Sequence, residues 1–342
     1  MIKTKRVQAR KLDVGYNYES KIESKKKSLK KILSPSDYRL VEKYDTVMVV
    51  GSLKLATRTK NLEIILSLSR MLSKKSWIAL TRDDINHLVS VVMMSYSSNG
   101  EETNTTYDHK KILKIFFRWL KLGSREKNVV GDPPEVQDVK CKQVADKLVR
   151  ESLITSEDLK KMLEHCFTLR DKAFIHVHYE SGTRAGDILS LQIKHVSSDK
   201  YGMKIAVDGK TGARPIRLVE SVPSLAKYLE GHPFNDDPES PLWINLGNQD
   251  YGEPLQYAAA NKLLKAAARR AGIKKRVYLH LFRHSAATRG VSYMGESIMR
   301  KRYGWSPNSK MISRHAHLNP DDLDDCYLDA IGIKVPETKE QE

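Results

Sequence analysis

The sequence predicts a two-domain, mainly helical protein: an all-α first domain followed by a mixed α/β second domain. Three observations predict it. The chain has 342 residues, more than the roughly 100–200 of one ordinary domain. The run Gly131-Asp132-Pro133-Pro134 cannot continue a helix, because proline lacks the backbone donor and clashes with the preceding turn. Ahead of that break only helical periods occur; behind it, helical segments are interrupted by a short strand-turn-strand pattern.

The elements follow in order. Residues 1–50 read as a basic arm and a helix, with Lys25-Lys26-Lys27 as cations that would order on a polyanion and a helical stretch over 36–49. Residues 51–131 read as the helical domain. Its clearest helix is 106–122, capped by Thr105 with Asp108 three residues on and stopped at Gly123. Ile112, Ile115, Phe116, Trp119 and Leu120 share one face at i, i+3, i+4, i+7, i+8. Lys110, Lys114, Arg118 and Lys121 form a basic stripe on another, which we expect to contact phosphates. Residues 132–153 read as a linker, 154–335 as the second domain and 336–342 as an acidic tail.

In the second domain, Thr155 and Asp158 make a capping box for a helix over 156–166. A helix over 170–181 ends at Gly182, and Thr183 caps one that starts at Arg184. Strands are expected at 201–207 and 214–219 around the turn Asp208-Gly209-Lys210-Thr211-Gly212. Further helices are expected at 222–230, 256–271 and 281–291. No repeat recurs at a fixed period.

Charge narrows the partner. The formal net charge is +17, which repels itself and is best met by a polyanion. Residues 1–31 carry eleven Lys/Arg against three Asp/Glu, and residues 321–342 two against eight. The folded middle is therefore basic in its own right, so the excess is not just a tail. Charge alone leaves DNA, RNA and an anionic membrane surface open. No apolar run approaches the roughly 20 residues of a membrane span, and the first eleven residues lack the apolar stretch of a secretory signal. Cys141, Cys166 and Cys326 are odd in number, far apart and form no ligand pair. A soluble, cytoplasmic protein is the expectation.

Chemistry gathers at three places. Arg184 sits at a helix start, where free backbone N–H groups and a planar guanidinium suit a phosphate. Lys210 stands at the tip of the hairpin. The surrounding Gly209-Lys210-Thr211 is no nucleotide loop, because Lys204 occupies the place of that motif's first glycine. His280 and Arg283 lie i, i+3 on one helix face, an imidazole beside a guanidinium. A zinc reading from His280, His284, His315 and His317 lacks the intervening glutamate and any cysteine pair, so no metal or cofactor is expected.

In order and spacing these boxes resemble the tyrosine recombinases, the phage-integrase family, over about 55–330. The likeness lies in Gly182-Thr183-Arg184 with Asp187, Gly209-Lys210-Thr211-Gly212, His280-x-x-Arg283-His284 and Tyr303-Gly304-Trp305-Ser306. The wording at Pro133-Pro134-Glu135-Val136 and 304–309 looks most like archaeal and archaeal-virus members. The resemblance implies an all-α core-binding domain and a mixed α/β catalytic domain that clamp double-stranded DNA. It implies strand exchange without metal or ATP, self-association to a tetramer on DNA, and a covalent protein–DNA intermediate that conserves the bond energy. Arg184 and Arg283 would hold the scissile phosphate, Lys210 would protonate the leaving oxygen, and His280 and Trp305 would support the phosphate. Where the family carries its nucleophilic tyrosine this chain carries His315. Three readings follow: the chain binds DNA without cutting it, a tyrosine such as Tyr303 or Tyr327 substitutes, or His315 itself attacks. A non-catalytic DNA-binding relative and a type IB topoisomerase-like enzyme are the rival functions.

Overall fold

The computed structural model describes residues 18–72, 75–142, 144, 149–209, 212–307, 309 and 311–312. Lys210, His315, Tyr327, the acidic tail and the first 17 residues lie outside them. The chain divides into two compact units, one of Asn17–Asp146 and one running from Lys147 onward. Among the described residues no helix is long and apolar enough to cross a membrane.

The first unit is all-α: α1 (Tyr18–Ile32), α2 (Pro35–Val50), α3 (Leu55–Met71), α4 (Arg82–Tyr96), α5 (Asn104–Leu122) and the short α6 (Lys127–Val130). Residues 18–50 are part of its body, not an arm. Ile22 and Leu29 of α1 and Val41, Tyr44 and Met48 of α2 are buried in its core. Lys25 pairs with Glu63 and Lys26 with the buried Asp45, each at 2.8 Å; Lys27 is exposed. The basic triple therefore serves mainly to pin α1 onto α2 and α3.

Helix α5 starts two residues earlier than the sequence suggests. Thr103 and Thr106 form its capping box, a threonine pair replacing the expected Thr105 and Asp108, and Gly123 ends it in the left-handed conformation. Phe116 packs edge-on against Tyr44 and Trp77, at 5.1 and 5.2 Å between ring centroids. Leu113 and Phe117 are buried while Ile115 is only half-buried, because other elements pack on two sides of α5.

The stripe on α5 is also internal. Lys110 pairs with Glu102 and is itself buried. Lys114 and Arg118 both hold Asp132, at 3.0 and 2.6 Å, and Lys121 holds Glu135 at 2.8 Å. Burial pushes the Asp132 carboxyl up, but hydrogen bonds from Arg118 and Lys114 hold it below the usual range. Val136 and Val139 are buried in the same core. The stretch read as the start of a linker thus closes the first unit and supplies carboxylates to three of the four cations of the helix it covers. All four cations expected to contact phosphates are thus engaged in ion pairs within this unit.

The second unit wraps helices around a small sheet. Its elements are α7 (Ser156–Glu164), α8 (Leu169–Ser181), α9 (Ala185–Leu189), β1 (Val196–Asp199), β2 (Gly202–Gly209), β3 (Gly212–Leu218), α10 (Val222–Glu230), α11 (Tyr257–Arg270), α12 (Leu279–Val291) and α13 (Glu296–Tyr303). The sheet is antiparallel in the order β1-β2-β3, and Gly209 pairs with Gly212 across the hairpin end. Ile205, Val207, Ile216 and Leu218 point into the core beside Phe174, Trp243 and Phe282. The Thr155–Asp158 capping box is present. Thr183 is not the cap of α9; that position belongs to Arg184, and the Thr183 hydroxyl lies 3.2 Å from that of Ser181.

Candidate active site

The site is built where α8, α12 and α13 end or begin. Gly182 closes α8 in the left-handed conformation, which favours glycine. A side chain there would also meet the Ala286 Cβ and the Tyr303 Cε1, both at 2.7 Å. Removing the side chain lets the three helices touch. His178 fixes the start of α12. Its Nε2 donates to the Leu279 carbonyl at 2.9 Å, and its ring stacks between Phe174 and Phe282. Burial pushes its pKa down to about 4, so it serves as a neutral, fixed donor.

That start carries His280 in its first turn and Arg283 one turn later. His280 is exposed, with its ring 4.5 Å from that of His284. Arg283 is 2 % exposed. Its Nη1 donates to the Gly182 carbonyl at 3.0 Å and its Nη2 to the Tyr303 carbonyl at 2.6 Å. Its guanidinium carbon lies 5.7 Å from the Trp305 ring and 5.5 Å from the Tyr303 ring, within range of cation–π attraction. Arg184 approaches from the far end of the same junction, its Nη2 donating to the Gly304 carbonyl at 2.9 Å.

A third arginine, missed in the sequence reading, completes the cluster. Arg214 of β3 donates from Nε to the Arg302 carbonyl at 3.0 Å and from Nη2 to the Asp187 carboxylate at 3.1 Å. The same carboxylate oxygen of Asp187 lies 3.8 Å from Arg184 Nη1. The signal was the strand alternation: Arg214 shares a face with Ile216 and Leu218, both buried. Three guanidiniums from three elements thus take the three successive carbonyls of residues 302, 303 and 304. Burial, and then repulsion from Arg184 and Arg214, pushes the Arg283 pKa down to about 9, so it stays charged at neutral pH. A crowded set of cations facing one carboxylate, with Arg283 and Arg214 largely buried, can receive an anion.

Other expectations fare differently. Tyr303 does not serve as a substitute nucleophile: it is 1 % exposed, its hydroxyl donates to the Ala286 carbonyl at 2.7 Å, and burial pushes its pKa up to about 12. Trp305 lies where the boxes suggest, buried against Arg283. Lys210 and His315 fall outside the described residues. Among those described, no group of three His, Cys, Asp or Glu is placed to hold a metal ion. Exposed cations do gather elsewhere in this unit. Lys262, Lys265 and Arg269 of α11 line a shallow cleft with Tyr257 and Asn261, and Lys274 and Arg276 follow in the next loop.

Helices around a three-stranded sheet, with the arginines of the 184 and 283 boxes in one cluster, define the catalytic fold of the tyrosine recombinases. Residues 152–321 match the model of the Phage integrase family. Transposase A from transposon Tn554 of Staphylococcus aureus is 24% identical over 256 residues, covering 70% of this chain and 67% of that protein. Tyrosine recombinase XerA of Saccharolobus solfataricus is 23% identical over 265 residues, covering 76% and 81%. The crystal structure of a lambda integrase tetramer bound to a Holliday junction aligns with a TM-score of 0.63 at 14% identity, over 81% of this chain and 76% of that one.

Proposed function

We propose that this protein is a site-specific recombinase that binds double-stranded DNA and exchanges strands through a covalent protein–DNA bond. The observation that carries the reading is the meeting of Arg184 and Arg283, a hundred residues apart in the chain, on adjacent carbonyls beside Trp305. Pure DNA binding requires cations on a surface; it does not require a guanidinium buried to 2 %. In this reading the two arginines grip the non-bridging oxygens of one phosphate and stabilise the extra charge of its pentavalent state. Lys210 protonates the departing 5′ oxygen, and His280 and Trp305 support the phosphate. The residue at 315 supplies the attacking atom. The tetramer is proposed by analogy with the lambda integrase assembly. The archaeal likeness rests on the wording at 133–136 and 304–309, supported by the Saccharolobus relative alongside a bacterial one.

The test is a nicked duplex carrying a site that the protein selects from a random library, scored for a denaturant-stable protein–DNA adduct. An adduct from the native chain that disappears in His315→Ala assigns attack to His315. An adduct only in His315→Tyr shows an assembled site without its nucleophile, which favours a role as accessory to an active relative. No adduct from either chain overturns the strand-exchange reading and leaves a binding protein.

Duplex affinity supplies a second check. The cations of α11 and the loop after it, Lys262, Lys265, Arg269, Lys274 and Arg276, take the contact role first assigned to α5. Each phosphate neutralised releases counterions, so log affinity should fall linearly with log salt. Reversing Lys265 and Arg269 to glutamate should weaken binding by about tenfold or more and flatten the salt slope by about 2. An unchanged slope would remove this helix from the interface.

A further inference from the structure

We infer that Arg214 is a third phosphate-holding residue of this site, donating from Nη1 to a non-bridging oxygen of the same phosphate as Arg184 and Arg283. The inference rests on the proposed strand-exchange reading and deepens it, since the family boxes assign no role to this position.

Three observations carry it. The first is convergence. Carbonyls of consecutive residues lie within a few ångströms of one another, because neighbouring Cα atoms are about 3.8 Å apart. Arg214, Arg283 and Arg184 each take one of the carbonyls of residues 302, 303 and 304, which binds all three guanidiniums to one spot. The second is hydrogen-bond capacity. A guanidinium has five N–H donors. Arg214 uses Nε on the Arg302 carbonyl and Nη2 on Asp187. Nη1 of Arg214 and Nη1 of Arg184 are buried and, among the described residues, have no hydrogen-bond partner. Burying such a donor unmatched is costly, and an oxyanion would satisfy both. The third is charge. Asp187 is the carboxylate shared by Arg184 and Arg214, and one carboxylate cannot neutralise three guanidiniums.

The strand geometry explains why the position can serve. Arg214 sits on the inward face of β3, where its fixed backbone and two anchored nitrogens leave little side-chain entropy to lose on binding. Arg217, one residue off that alternation, points to the other face and pairs with Asp199 at 2.6 Å. It is the natural control on the same strand.

The experiment titrates inorganic phosphate into the full chain at low ionic strength and follows phosphorus-31 line broadening, with circular dichroism to confirm folding. Arg214→Gln is expected to weaken phosphate binding about tenfold, as Arg184→Gln does, with Arg214→Lys intermediate and Arg217→Gln unchanged. If Arg214→Gln fails to fold, Arg214→Lys decides, since it keeps a cation beside Asp187 but loses the fork. Native affinity in the folded Arg214 variants, with loss in Arg184→Gln, overturns the role of Arg214 and leaves the phosphate site standing. Absence of phosphate binding by the native chain, or binding indifferent to Arg184, overturns the phosphate site itself and this inference with it.

Discussion

Replacing Arg283 by alanine is expected to lower strand cleavage by about 10³-fold or more, the scale of losing a preorganised oxyanion donor. Duplex affinity should fall far less, by about tenfold or under, since one phosphate contact is lost among several. In the proposed reading the two effects separate because Arg283 is buried and charged where the phosphate would gain negative charge. It would contribute little to ground-state attraction, which exposed lysines and arginines such as those of α11 would supply. Single-turnover adduct formation and gel shift at fixed salt, in whichever of the native or His315→Tyr chains forms an adduct, measure them side by side. Alanine also leaves the carbonyls of Gly182 and Tyr303 without their donor. Arg283→Lys is the companion variant: it keeps the charge but cannot fork to both carbonyls and a phosphate. A parallel fall of cleavage and affinity would mean that Arg283 acts as a general DNA contact.

Gly182→Ala should be among the most damaging single-methyl changes in the second unit. The left-handed backbone alone costs a residue with a side chain about 1–2 kcal/mol. Overpacking against Ala286 Cβ and Tyr303 Cε1, both 2.7 Å from the new methyl, adds about 1–3 kcal/mol. The expected loss of about 2–5 kcal/mol should lower the melting temperature and remove cleavage together, because relief of the clash displaces Tyr303 and hence the carbonyls that hold the arginines. Ala286→Gly in the same chain should restore part of the stability by opening space on one side. A Gly182→Ala chain with native melting and native cleavage would contradict the close approach of these helices.

Local signals in the sequence were legible, and remote ones were not. Gly123 and Gly182 stop their helices, and Thr155 with Asp158 starts one, because a cap is decided by residues within a turn of each other. The ion pairing of the basic stripe on α5 escaped because two of its partners, Asp132 and Glu135, lie in a proline-rich stretch with no helical period to tie it to that helix. β1 is short and exposed over most of its length, and α13 buries only Met299 and Tyr303, so neither has a period to detect. The boxes around Arg184, Arg283 and Trp305 were legible as an ordered set, and the structure brings those three residues together. Arg214 escaped because the hairpin was read for its tip, whereas alternation along β3 marks an inward-facing residue.

The exit of α13 holds every guanidinium of the cluster by its backbone, and the chain then runs ten residues from Trp305 to position 315. A shift of that exit would turn the whole set of grips together, like fingers on one wrist. In the strand-exchange reading proposed above, phosphate capture would therefore hang on one short stretch of backbone, since displacing residues 302–304 would loosen all three guanidiniums at once. Under that reading, a shared anchor would favour all-or-none readiness of the phosphate site over partial capture.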